Sequence, residues 1–480
     1  MKYYILKPKK LNLENLVDIY QPDFKFNLDK AYLIIYLVIK LSNKKNNSNE
    51  VRLSSKMLQS MIGYDYNKYI KFLLENYLGH GNILKGYRYS KGSTFGYKLT
   101  DYFFNNGFEL YEISDYKLIN KYKSIFEKNK INEQVRKHYY FLLKFFKNKK
   151  ISVYEPFQAI EMTNSFETKK GLKNALELVN FMNGEFKLTL KSRTDGRVHS
   201  NLTRLSKKSR QFLQYEEENL AEIDISSAVP FILYLVMRMY LDNNLIYLSN
   251  FSYSNSNLFI YMLDEVTGDI EKTELNSFGN SIINGKLYEQ FSELLLNQDF
   301  YESKGIDFNK VIKYYQFAFK EMFGYYFDGD LKDSKDLKKF AKRRFLSMLF
   351  APAYKYSFEQ IVFKEVYPSI HKFINEYKNV YQYKDSETMI YSKKDKHKKL
   401  SHLCFQFEAK VMIDKIAREF DKINKGKVPV YTIHDCLLTS SSNAEELKTF
   451  MQNKFIEMFG LAPNLTIEYI NPYKQIKQAC

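Results

Sequence analysis

Asp224 and Asp435 each stand at the end of a short apolar run, where a carboxylate needs a cation, a hydrogen-bond network or a metal ion to offset its lost hydration. The first lies in LAEIDISSAVP, where Leu220, Ala221, Ile223 and Ile225 make a strand. Ser226, Ser227 and Pro230 end that strand and start a helix through Phe231 to Met239. The second lies in VPVYTIHDCLLT (428–439), an apolar alternation that turns at His434 and Asp435 and returns through Cys436 to Leu438 as a hairpin. Taken singly, each has an ordinary reading, a structural strand-end Asp and a turn Asp behind a solvent-facing His. A third segment, KKFAKRRFLSMLFA (338–351), places Lys338, Lys342, Leu346 and Phe350 four residues apart on one helical face, with Arg343 beside them. Two cations followed by two apolar groups can grip a triphosphate and then a base and sugar. An amphipathic helix with a basic rim has the same pattern. Two fixed carboxylates are also what a pair of divalent ions about 4 Å apart would need.

The chain that must position these groups has 480 residues, 45% hydrophobic and 17% aromatic, which is room for about three domains and a sizeable core. Its 73 Lys+Arg against 55 Asp+Glu give a net charge of +18, which favours a polyanionic partner, nucleic acid before an anionic membrane. Cys404, Cys436 and Cys480 make no even framework and no CxxC pair, which argues against a disulfide scaffold and a structural zinc site. MKYYILKPKK lacks the apolar stretch of a signal peptide, and the longest apolar runs, 31–41 and 230–236, are too short to span a bilayer. A cytoplasmic protein without membrane attachment is expected.

Residues 1–115 predict helices over 31–44, 55–62 (capped by Ser54 and stopped by Gly63) and 66–78, then a hairpin of 83–89 and 94–99 around SKGS. Three helices and a basic hairpin resemble a winged helix, a module that binds DNA through its third helix and wing and that elsewhere serves for protein docking. Lys68, Lys71, Lys85, Arg88, Lys91 and Lys98 are then the candidate phosphate contacts. Residues 116–190 read as helical, basic and aromatic. Asn201–Arg210 and Lys393–Lys399 are further basic clusters, the second read as an exposed loop, and Ser249–Asn257 reads as a loop within an insertion.

The strand-end Asp, the basic helix and the His–Asp hairpin, in this order, resemble the palm and fingers of the DNA polymerase I family (family A) and of the related single-subunit phage-type RNA polymerases. TDGRVHSNLTRLSKKSRQFL resembles the family's primer-template-binding segment, and VYPSIHKFI with HLCFQFEAKVMIDKIAREF resembles the helices leading into the hairpin. The similarity runs from about Arg193 to the C-terminus. It implies an α+β right-hand polymerase: palm with an antiparallel sheet from 191–235 and 401–480, helical fingers with an insertion from 236–400, a thumb-like region at 116–190 and the winged-helix-like domain at 1–115. It further implies that Asp224 and Asp435 hold two Mg2+ ions, with Mn2+ able to substitute. Lys338, Lys342, Arg343, Leu346 and Phe350 would take the incoming nucleotide, with Lys342 catalytic. Arg197, Arg210, His434 and Gln406 would meet the primer-template.

Departures from the family bear on sugar choice. Val229 stands where the DNA enzymes carry a glutamate, Leu346 where they carry an aromatic, Phe350 where tyrosine is usual, and Cys436 where Glu or Ser follows the His–Asp pair. No acidic exonuclease motif precedes Arg197, so a compact DNA polymerase without proofreading is expected, of the kind a phage or mobile element carries for DNA replication. Its partners would be a DNA primer-template and nucleoside triphosphates, with a replication partner or origin at residues 1–115. The alternatives are a single-subunit DNA-dependent RNA polymerase or relaxed nucleotidyltransferase, and a catalytically inactive DNA-binding initiator or regulator.

Overall fold

A computed structural model describes residues 2–42, 49–77, 81–87, 94–126, 131–192, 194–242, 244, 262–327, 335–380 and 396–471. It is a mixed fold of helices and antiparallel sheets. Near the N-terminus, the strand Tyr3–Pro8 pairs along its whole length with Phe108–Ile113 and encloses the intervening elements. Among these the helix Leu28–Ser42 is apolar on nearly every side, because it is covered all round: Ala31 to Ile39 are buried without a break. Its one early charge, Asp29, is held by the Tyr111 hydroxyl, the Ser114 hydroxyl and the backbone N–H groups of Ser114 and Asp115.

After this helix come the strand Val51–Arg52, the helices Ser55–Ile62 and Tyr66–Leu74, and the strands Leu84–Tyr87 and Gly96–Leu99, which join Val51–Arg52 in a three-stranded antiparallel sheet. Ser54 caps the first of these helices through the Met57 N–H, and Gly63 at φ 111° ends it, as expected. The next helix is shorter than its periodicity predicts. It stops at Leu74, and Asn76–Tyr77 instead pairs with Gly81–Asn82.

The stretch 116–190 is not helical throughout. Its strand Ile151–Val153 joins the central sheet as an edge, while the helices Pro156–Asn164 and Thr168–Met182 pack on the N-terminal ribbon. Gly171 permits the close crossing of these two helices, since a Cβ there would lie 2.3 Å from the Thr163 carbonyl oxygen. The central sheet runs Tyr431–Ile433, Cys436–Ser440, Glu218–Ile225, Leu213–Tyr215, Ile151–Val153, and Leu465–Tyr469 shares an edge of Glu218–Ile225. Glu218–Ile225 is thus bonded along both edges. The helix Ala228–Leu241 follows it, longer than predicted at both ends, with ten buried residues. The described residues of 262–327 and 335–380 are mainly helical, and the basic segment forms one helix, Lys335–Phe350, packed on Leu287–Leu295. The helix Lys398–Ala409 continues as a π-helical stretch, Lys410–Ala417, and then as Arg418–Ile423. Lys398 and Lys399 therefore start a helix in place of the expected loop, and Ser249–Asn257 and Cys480 lie outside the described residues.

Candidate active site

Asp224 is the penultimate residue of the doubly bonded strand, and its register partners are Cys436 on one side and Thr466 on the other. The facing hairpin turns at His434 and Asp435, as its sequence predicts. His434 has φ 53° while Asp435 keeps a negative φ, the sign pattern of a type II′ turn, whose twist suits a two-residue hairpin. This turn sets Asp435 beside Asp224. Asp224 as a residue is exposed at the strand end, but partial desolvation of its carboxyl, first, and the Asp435 carboxylate, second, push it up to about 6, while Lys342 and Lys207 act against them.

The two aspartates differ from the other acids nearby. Glu222, Glu359, Glu408, Asp414 and Asp421 are all buried, and each has a cation within ion-pair distance: Arg210, Arg344, Arg197, Arg418 and Lys144. Among the described residues, no cation comes that close to Asp224 or Asp435. Nor do the described residues contain a cluster of three or more His, Cys, Asp or Glu that could cage a metal ion. Were a magnesium ion bound here, Asp224 and Asp435 would be the residues to hold it, since that ion keeps several waters and binds through one or two carboxylates plus substrate phosphates.

On the helix Lys335–Phe350, Lys342 and Arg343 are exposed, and Leu346 and Phe350 are half-buried on the same side. The Lys342 ammonium lies 5.9 Å from the centre of the Tyr288 ring, and its charge acts on Asp224. Lys338 is exposed and ion-paired to Glu289 on the neighbouring helix. Arg344, on the opposite face, is committed to the core by Glu359 and the Tyr314 hydroxyl. Phe350 packs edge-on against Phe405, 5.7 Å between centroids.

The residues expected to meet a duplex are placed differently from one another. His434 is exposed at the hairpin tip. Arg197 follows Gly196 (φ 67°) in the turn between the short strands Thr189–Leu190 and Val198–His199, but its guanidinium fork is occupied by Glu408, with N–O distances of 2.9 and 2.7 Å. Arg210 gives its fork to Glu222 at 2.7 and 3.2 Å and a further bond to the Leu205 carbonyl. Gln406 is 2% exposed and donates to the Thr194 carbonyl. These three polar groups tie the 191–197 turn and the strand Glu218–Ile225 to their neighbours. In the N-terminal sheet module, Asn67, Lys68 and Lys71 are exposed on the helix Tyr66–Leu74, and Tyr64 is exposed in the turn before it; Arg88 and Lys91 lie outside the described residues.

Sequence reading missed Glu408, Tyr288 and Lys207. Glu408 carried a signal, a lone acid in the apolar run CFQFEA. Tyr288 carried none, since it reads as one more aromatic of an amphipathic helix. Lys207 pairs with Glu468, the register partner of Glu222, and reaches Asp224 electrostatically.

No family model matches the chain, and no curated protein matches it in sequence. Among solved structures, the polymerase domain of Pol1 from M. smegmatis, in complex with DNA primer-template and dNTP, aligns with 63% of this chain and 52% of that one, at 10% identity and a TM-score of 0.36. The chain thus spans about half of that domain's length, and a likeness of this size is no basis for a functional argument. No helix among the described residues is long and apolar enough to cross a membrane.

Proposed function

We propose that the protein is a template-directed nucleic-acid polymerase of the right-hand type, a compact DNA polymerase in which Asp224 and Asp435 hold two divalent ions. The observation that carries this is the pairing of a strand-end carboxylate with a hairpin-turn carboxylate, with no cation at bonding distance among the described residues, facing a helix whose Lys342 and Arg343 are exposed. When bound, the ions activate the primer 3′-hydroxyl and stabilise the departing pyrophosphate. Lys342 and Arg343 bind the triphosphate, with Lys338 at the entrance, and Leu346 and Phe350 bear on base and sugar. In this reading the central sheet is the palm, the helices of 262–380 are the fingers, and part of 116–190 serves as the thumb.

The helix Leu28–Ser42, the strand Val51–Arg52, the two helices after it and the strands Leu84–Tyr87 and Gly96–Leu99 support a winged-helix reading, in which Asn67, Lys68 and Lys71 of the third helix meet DNA. Deleting 1–115 is expected to weaken duplex binding or site choice. Unchanged binding in a folded, truncated protein would remove the DNA-contact role.

The deciding experiment offers purified protein a primed DNA template, a primed RNA template or none, with Mg2+ and either dNTPs or NTPs. Templated dNTP incorporation is expected. Preference for NTPs would favour the RNA polymerase alternative, untemplated addition the relaxed nucleotidyltransferase, and salt-dependent binding without incorporation the inactive initiator. Extension that survives Asp224→Ala or Asp435→Ala would refute the metal-pair assignment.

A further inference from the structure

We propose that the outer face of the helix Phe308–Phe323, with the turn that closes it, is a binding site for single-stranded nucleic acid outside the catalytic centre. On this helix Lys310, Lys313, Phe317 and Lys320 recur at three- and four-residue spacing and so line one solvent-facing side. All four are exposed, and Phe317 is 61% exposed. Among the described residues no carboxylate pairs with any of the three lysines, and Glu321 is the acid at the margin of the strip. Gly324, at φ 85°, ends the helix, and the exposed Tyr325 and Tyr326 follow. The Lys320 ammonium lies 4.3 Å over the Tyr326 ring and donates to its hydroxyl at 3.1 Å, which carries the ring back beside the strip.

Phe317 adds little to the core, because the packed side of the helix has aromatics of its own. Tyr315 and Phe319 meet Phe340 of the basic helix at 6.1 and 5.3 Å between centroids, and Tyr314 takes a bond from Arg344. Tyr325 donates to Asp336, at the start of the basic helix, at 2.9 Å. Phe340 and Arg344 lie one turn apart on the side of the basic helix turned away from Lys342. The strip is thus braced about 8–10 Å behind the basic helix. A strand lying on it is not the strand seated at Asp224 and Asp435.

An ordinary solvated face looks different: on the helix Ala444–Phe459, Lys454 is held between Glu419 and Glu457. Here the three lysines keep one sign of charge over about 15 Å of helix, with bare rings among them. Phosphates meet the ammonium groups, and unpaired bases stack on Phe317 and Tyr326. A duplex hides its base faces along its length and would leave the rings without a role. An anionic membrane needs a continuous apolar face to bury, and this strip sets one Phe between lysines.

The test measures binding of a fluorescent oligothymidylate of about 20 nucleotides, and of a blunt hairpin duplex, to the full-length protein across a salt series. Phe317→Ala is expected to lower oligothymidylate affinity about tenfold with an unchanged salt slope, and to leave duplex affinity within about twofold. Lys310→Ala, Lys313→Ala and Lys320→Ala combined should reduce the slope by about two, at about 0.7 for each phosphate contact on a single strand. The unaltered protein is expected to photo-cross-link to 4-thiothymine oligonucleotides within 308–326. Unchanged oligothymidylate affinity in both variants, or equal losses on oligothymidylate and duplex, would overturn the proposal. Cross-links confined to other segments would overturn it whatever the variants do, and so would loss of phosphatidylserine-vesicle binding in variants that still bind oligothymidylate. Primer extension separates the site from the polymerase reading. If the unaltered protein extends no primer and the binding pattern holds, that reading fails and the site stands. If it extends primers and the variants bind oligothymidylate as before, the site fails and the reading stands.

Discussion

Glu222 and Asp224 stand two residues apart on one face of one strand, yet their surroundings differ. Glu222 lies opposite Glu468, and that like-charged pair is neutralised from the side by Arg210 and Lys207. Asp224 lies opposite Thr466 and Cys436, with Asp435 beside it, and no cation is bonded to either aspartate among the described residues. Paired acids fasten elements together, because breaking a buried pair leaves a charge without a partner. The unpaired acids repel each other and favour a multivalent cation from solution. The same residue class on one strand thus divides into a position bonded by a cation and one left open, according to where the protein supplies arginine.

The largest test of this contrast is to exchange the consequences. Asp224→Asn or Asp435→Asn should lower extension at least a thousandfold while leaving the melting temperature unchanged or higher, since a repulsion is removed. A fall of several degrees would show that the pair is structural after all. Glu359→Ala should do the reverse by stranding Arg344, costing about 3–5 kcal/mol of stability in denaturant unfolding; a loss under about 1 kcal/mol would contradict the fastening role. Lys342→Ala should lower kcat/KM for the nucleotide about a hundredfold, and Arg343→Ala by less, as measured in steady-state incorporation.

A smaller effect concerns pH. The Asp224 carboxyl is raised to about 6 from its ordinary value. Without divalent ions its contribution to folding is therefore greatest below the ordinary carboxylate range and is lost as pH rises through about 6. Bound Mg2+ reverses this by favouring the ionised form. The Mg2+-induced rise in Tm should accordingly be larger at pH 7.5 than at pH 5, with apparent affinity about tenfold lower at pH 5. An Mg2+ effect independent of pH would remove Asp224 from the ion's ligands. Smallest of all should be Cys436→Ala. Burial pushes this thiol well above its usual range, so it behaves as a small core residue. Extension within about twofold of the unaltered protein is expected, and a tenfold loss would give the thiol a role.

The site's scaffold was legible in the sequence where period and punctuation were strong. The strand before Ser226, the hairpin at His434–Asp435, the basic helix and the Ser54 cap all follow from alternation, four-residue spacing and turn chemistry. Lys342, Leu346 and Phe350 do share a side of their helix. The fates of Arg197 and Arg210 were not legible, because an arginine facing a phosphate and one facing a glutamate read alike. Their partners are 211 and 12 residues away, and only the fold says which carboxylates are near. The strand Ile151–Val153 was hidden for a related reason: three residues between helices show no period, and its place in the sheet is decided by Leu213–Tyr215. The helix after Tyr66 was overextended because Tyr77 continues the apolar spacing although it sits in a strand.

The double bonding of Glu218–Ile225 also has a dynamic consequence. From Ala221 to Asp224 the strand has ladder partners on both edges, so amides there cannot exchange with solvent through fraying of one edge. Hydrogen exchange there should proceed only through opening of the whole sheet. The spacing of the two aspartates would then persist for as long as the sheet stays folded, and a chain that lost it would already have lost its core.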